Sequence, residues 1–126
     1  MKRALPITAV LALAFGLAAC GSPSSSTPSD LPPAAEEGRQ LSKNNGCAGC
    51  HGSNFGGGVG PTWQGLSGSS VSLANGEKVL ADRAYLIESI KNPNAKRVAG
   101  FSSAMPAVSL TDDEISKIVD FIETLK

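Results

Sequence analysis

The chain has 126 residues and no formal net charge, with 41% apolar but only 5% aromatic side chains. That length holds one small domain with appendages, and a domain so poor in aromatic residues needs a metal, disulfides or a cofactor to complete its core. Balanced charge without a basic block gives no electrostatic footprint for nucleic acid.

Lys2 and Arg3 precede an almost unbroken apolar run over residues 5–17, and small residues then lead into Cys20. This is the layout of an export signal, too short to be read first as a spanning helix. Leu17-Ala18-Ala19-Cys20 resembles a bacterial lipobox. It predicts a signal over residues 1–19 and a lipidated Cys20 at the mature N-terminus, which tethers the chain to a membrane in the bacterial periplasm or at the cell-envelope exterior. The alternative is an ordinary signal cut near Ala19 that leaves Cys20 as a stray thiol. Loss of Lys2 and Arg3 leaves a small acidic excess, which suits partners with a basic docking patch but is too slight to decide anything.

Residues 20–33 join the lipidated cysteine to a Pro/Ser-rich linker that cannot bury enough apolar surface to fold. Extended as polyproline, this stretch reaches about 40 Å. It serves either as a tether that lets a domain swing between partners or as a plain spacer.

The folded domain is expected over residues 34–126. A first helix spans residues 34–45, with Leu41 as a buried contact, Gly38 as a point of close approach and Asn45-Gly46 as its stop. It delivers the chain to Cys47-Ala48-Gly49-Cys50-His51. A Cys-x-x-Cys-His run reads as a covalent c-type haem site, in which both thiols add to the haem vinyl groups and the adjacent imidazole is held against the iron. Cys-x-x-Cys alone would also suit a redox dithiol or half a zinc site. A dithiol has no need of His51, and with three cysteines and one histidine in the whole chain, and Cys20 otherwise used, zinc falls short of four ligands.

Glycines follow in Gly56-Gly57-Gly58-Val59-Gly60. No strand precedes them and no phosphate-binding lysine follows, so a nucleotide loop is a poor reading. Backbone running close to a flat cofactor accounts for them better. A ligating histidine donates its free ring N–H to an acceptor that fixes its tautomer, and Pro61 offers a carbonyl on a rigid backbone. Trp63, the only tryptophan, either lines the haem or reaches a propionate with its indole N–H, and the competing reading is simple core packing.

Residues 71–78 alternate briefly before and around Asn75-Gly76, with Val79 on the return, which predicts a short β-hairpin. Asp82 caps a helix over residues 83–91 that Asn92-Pro93 ends, with Tyr85, Leu86 and Ile90 sharing a face. The loop Ser103-Ala104-Met105-Pro106 holds the only methionine besides the initiator. With no second histidine available, the Met105 thioether is the predicted second axial ligand, and the competing reading is a gap-filling core residue. Thr111-Asp112-Asp113-Glu114 is a capping box for a last helix whose stripe of Ile115, Ile118, Val119, Ile122 and Leu125, with Phe121 beside it, belongs in the core.

Taken together, Cys47-Ala48-Gly49-Cys50-His51, Gly60-Pro61, Met105-Pro106 and the last helix resemble a class I c-type cytochrome over residues 34–126. The resemblance implies a small, mainly α fold around one covalently attached haem c, with one short hairpin. It also implies terminal helices that cross near Gly38 and Phe121, and a Pro61 carbonyl that accepts the histidine N–H. The order of Asn75-Gly76, Ala81-Asp82, Tyr85-Leu86, Ser89-Ile90 and Leu110-Thr111-Asp112 is closer still to the cytochrome c domain of bacterial haem-copper oxidase subunit II, although no copper-binding domain precedes it here. The expected function is that of a membrane-anchored electron carrier between respiratory proteins, working towards a terminal oxidase, and not an enzyme. Two rivals are a haem enzyme or gas sensor in which Met105 is off the iron, and a subunit whose haem is structural.

Overall fold

The computed structural model describes residues 30–126. The signal, Cys20 and most of the linker lie outside the described residues. Four helices and one hairpin follow in order: α1 Pro33–Asn44, α2 Cys47–His51, β1 Ser70–Ser72, β2 Lys78–Leu80, α3 Arg83–Lys91 and α4 Asp112–Thr124. This is a mainly α fold with one two-stranded antiparallel sheet.

Helix α1 begins at Pro33, inside the stretch read as linker, because a proline at the first helical position gives up only an N–H that would be unpaired anyway. Leu31, just before it, packs against the core. The face α1 buries is made of small residues, Ala35, Gly38 and Ser42, whereas Leu41 is only partly buried. Ser42 is fully enclosed and satisfies its hydroxyl by donating to the Gly38 carbonyl at 2.8 Å. Small side chains let α1 and α4 come together at backbone distance. A Cβ on Gly38 would meet the carbonyl of Lys117 and the amide of Ile118. The nearest atoms are those of the α4 main chain, and Phe121, one turn further on, packs its ring against Phe55 and Trp63.

Helix α4 starts with the expected capping box: Glu114 N–H donates to the Thr111 hydroxyl, and Thr111 N–H donates back to the Glu114 carboxylate at 2.8 Å. Its buried face, Ile115, Ile118, Val119, Phe121 and Ile122, covers α1 and α3. Asp82 caps α3 by accepting from Tyr85 N–H at 2.8 Å. Arg83 then reaches Asp120, Glu123 and the Ser116 hydroxyl, which ties the start of α3 to α4.

The hairpin pairs Val71 with Val79, and Lys78 falls on the return strand. It carries a third edge that the sequence reading missed. Leu73 bridges Val98, Ala74 N–H donates to the Arg97 carbonyl at 2.8 Å, and Ala99 N–H donates to Ser72 at 2.9 Å. Residues 97–99 are thus stitched beside β1 before the chain runs on to Met105.

Candidate functional site

Helix α1 ends where Asn45 N–H returns to the Leu41 carbonyl and Gly46 turns left-handed at φ 76°. Only glycine adopts that conformation without cost. The chain re-enters helix at once, so Cys47, Cys50 and His51 lie on one turn at spacings of three and four, which places them on one side. That short helix was not foreseen from sequence, because five residues between two glycines carry no periodic signal. Cys50 is exposed and Cys47 half-buried against the core. Burial pushes the Cys47 thiol up from its ordinary range. A redox dithiol needs the opposite shift. Among the described residues no cluster of three or more His, Cys, Asp or Glu side chains could hold a metal ion.

His51 is buried, 7% exposed, and its Nδ1 lies 2.7 Å from the Pro61 carbonyl oxygen. A carbonyl can only accept, so Nδ1 carries the proton. Burial lowers the imidazole pKa, against the opposing pull of that hydrogen bond, and keeps the ring neutral. A neutral ring protonated at Nδ1 leaves Nε2 with a free lone pair, the form that binds a metal.

The glycines after His51 serve this turn, where they pack closely against the chain itself. A Cβ on Gly60 would lie 3.1 Å from His51 Cε1, one on Gly58 would lie 3.0 Å from the Cys50 carbonyl, and one on Gly52 would lie 2.7 Å from the Gly57 carbonyl. The loop folds back so tightly that side chains at these positions would push the imidazole or the Cys50 backbone. Phe55, passed over in the sequence reading, is buried here with a left-handed φ of 59° and stacks on Trp63 at 4.6 Å. A lone aromatic in a glycine-rich run was the signal available, since a large ring with no apolar neighbours in sequence must find them in space. Trp63 also lies 4.9 Å from the His51 ring.

A cavity of about 370 Å³ opens beside this turn. Cys50, His51, Pro61 and Trp63 line it from the first half of the chain; Tyr85, Leu86 and Ile90 line it from α3; Phe101, Met105 and Pro106 line it from the last loop. Cys47 is the one predicted site residue in the described part that is not in the lining. Trp63 both lines the cavity and packs in the core, so its two readings are not exclusive. The donors facing the cavity are an imidazole nitrogen and a thioether sulfur in a mainly apolar wall, with a thiol at its edge. That set fits a large apolar macrocycle with a central iron, held covalently by sulfur. No Asp or Glu lines the cavity, and its two cations are Lys96 and Arg97. The acidic excess lies elsewhere, since no Asp, Glu, Lys or Arg occurs between Lys43 and Glu77 or between Arg97 and Asp112.

The sequence model of the Cytochrome c family matches residues 35–126. No curated protein matches the chain.

Proposed function

This chain belongs to the cytochrome c family, carries covalently attached haem c and transfers electrons, and from that premise we propose that it is a lipid-anchored carrier passing single electrons between respiratory proteins, towards a terminal oxidase. The observation that carries this reading is that His51 and Met105 line the same cavity. An imidazole and a thioether would together hold an iron here and leave it no free position for a substrate. Haem supplies the reversible one-electron chemistry.

What the protein's own residues contribute is position and environment. Cys47 and Cys50 hold the group by thioether bonds. The Pro61 carbonyl fixes the His51 tautomer and strengthens it as a ligand. Trp63, Tyr85, Leu86 and Ile90 exclude water from the cavity wall. A dry and rigid cage keeps the reorganisation that accompanies each electron small. Anchoring is supported by the Leu17-Ala18-Ala19-Cys20 signature, and an oxidase as acceptor by the motif order from Asn75-Gly76 to Leu110-Thr111-Asp112. An uncharged stretch around Cys50 and the exposed Val59, at the cavity edge, offers a partner close approach without charge repulsion.

The test is an absorption spectrum of the haem-loaded protein, oxidised and reduced, for wild type and Met105→Ala. The expected result is a weak far-red band in oxidised wild type that the substitution removes, together with a new ability of the ferrous variant to bind carbon monoxide. A wild type that already binds carbon monoxide readily and lacks the band would replace this reading with a gas sensor or haem enzyme. Membrane fractionation of Cys20→Ser checks the anchor separately: release into the soluble fraction is expected.

A further inference from the structure

The three described arginines are not alike. Arg39 sits on Glu36, and Arg83 sits on Asp120 and Glu123. Arg97 has no carboxylate partner among the described residues. Its neighbour Lys96, the other cation of the cavity lining, is occupied by Glu88 at 2.5 Å. Arg97 spends one nitrogen on its own chain: Nη2 donates to the carbonyls of Ser102 at 3.0 Å and Phe101 at 3.4 Å. A guanidinium has five N–H donors in a rigid fork, so Nε and Nη1 remain to be used.

The backbone under this side chain is fixed on both sides. The Arg97 carbonyl accepts from Ala74, and Ala99 is tied to Ser72. Gly100, at φ 86°, then turns the chain so that the Phe101 and Ser102 carbonyls come back under the guanidinium. A few residues further on, the same segment supplies Met105 to the cavity. The result is a held, uncompensated positive fork at the edge of a cavity without a single acid.

We propose that Arg97 is the carboxylate-binding residue of this site, its free edge pairing with a propionate of the bound haem while Nη2 clasps the loop that carries Met105. The proposal rests on reading the cavity as the haem site. Propionates are the only anionic groups haem brings, and an arginine fork is the side chain that matches a carboxylate with two parallel hydrogen bonds. A fixed positive charge beside the group favours its reduced form, because reduction removes one positive charge from the iron. Arg97 is therefore a positioning residue with an electrostatic consequence.

The test is a spectroelectrochemical titration of the haem-loaded wild type, Arg97→Gln, Arg97→Lys and Lys78→Gln, with the far-red methionine band recorded alongside. Lys78 is an exposed cation on β2 outside the cavity lining and controls for net charge. At the wild-type midpoint, the ferrous-to-ferric ratio is expected to fall several-fold in Arg97→Gln (a tenfold fall is 59 mV for one electron). It should fall less in Arg97→Lys and hardly at all in Lys78→Gln, with the band kept in all four. Equal shifts in Arg97→Gln and Lys78→Gln would overturn the pairing, as would a shift in Arg97→Gln that appears only together with loss of the band, which would make Arg97 a loop clasp alone. A wild type without the band would instead count against the electron-carrier reading, so the two failures are distinguishable.

Discussion

Gly38 of α1 lies directly on the main chain of Lys117 in α4: a Cβ built on Gly38 would stand 1.8 Å from the Lys117 carbonyl oxygen. Above this contact the Lys117 side chain reaches Asp113 on its own helix and Glu37 on α1. Crossing and side-chain pairing are thus built on the same residue.

Gly38→Ala consequently opens the helix pair. Alanine is the better helix former by about 1 kcal/mol, but the obstructing atom is a backbone carbonyl that cannot rotate away, and overpacking costs about 1–3 kcal/mol or more. The 1.8 Å approach puts the cost at the top of that range, so a net loss of about 2 kcal/mol is expected, which lowers the melting temperature of the haem-loaded protein by about 8 °C. Gly49→Ala is the control, since a Cβ there meets nothing within 4 Å. Equal melting of the two variants would contradict the crossing.

Gly60→Ala is expected to act on the imidazole. The new methyl would press on His51 Cε1 and Nδ1 at 3.1 and 3.2 Å, and the ring must give by a few tenths of an ångström. That lengthens its bond to the Pro61 carbonyl and makes His51 a weaker donor. A weaker donor favours the ferrous state, so the midpoint potential rises. Pro61→Ala keeps the carbonyl and should change the potential less. Potentiometric titration of both variants checks the order.

Thr111→Ala removes the cap of α4 and should cost about 1 kcal/mol, read by thermal melting near neutral pH. The same box predicts a pH dependence. Hydrogen bonds from the Thr111 backbone and hydroxyl hold the Glu114 carboxyl below its ordinary range. A group whose pKa is depressed on folding stabilises the fold above its unfolded value and loses that contribution as pH falls through the folded value. The gap in stability between wild type and Glu114→Gln should therefore be full at neutral pH and narrow on acidification below the usual carboxylate range. A gap that widened on acidification would contradict the box.

Protein made without haem attachment should not reach this fold. Without the group, the apolar walls of a cavity of roughly 370 Å³ lose their packing partner, and a small domain has only about 5–15 kcal/mol of stability to offset that loss. Circular dichroism of Cys47→Ala/Cys50→Ala produced without haem maturation should show much reduced helix and no cooperative melting. A sharp transition close to that of the haem-loaded protein would show that the polypeptide folds on its own core.

Local chemistry was legible in the sequence because it is written in contiguous residues. Cys47 to His51 specify a covalent haem by covalent geometry alone, Thr111 and Glu114 specify a cap by a fixed spacing of three, and Asp82 does the same for α3. The composition, with so few aromatic side chains, also indicated that a cofactor completes the core. None of these depends on what a distant part of the chain does.

Tertiary structure decided which residues meet across the chain. That Gly38 meets the Lys117 main chain, that α1 buries Ser42 more fully than Leu41, and that the glycines after His51 wrap the Cys50 to Gly52 backbone all follow from main chain meeting main chain, which side-chain patterns do not encode. The alignment of residues 97–99 on the hairpin, which leaves Arg97 beside the cavity without an acid, is likewise a matter of long-range hydrogen bonds. Sequence by itself determined the attached group, because the two thiols that hold it stand within one helical turn. Only the packed chain decided what surrounds them, because burial and pairing are settled by every segment that competes for the same space.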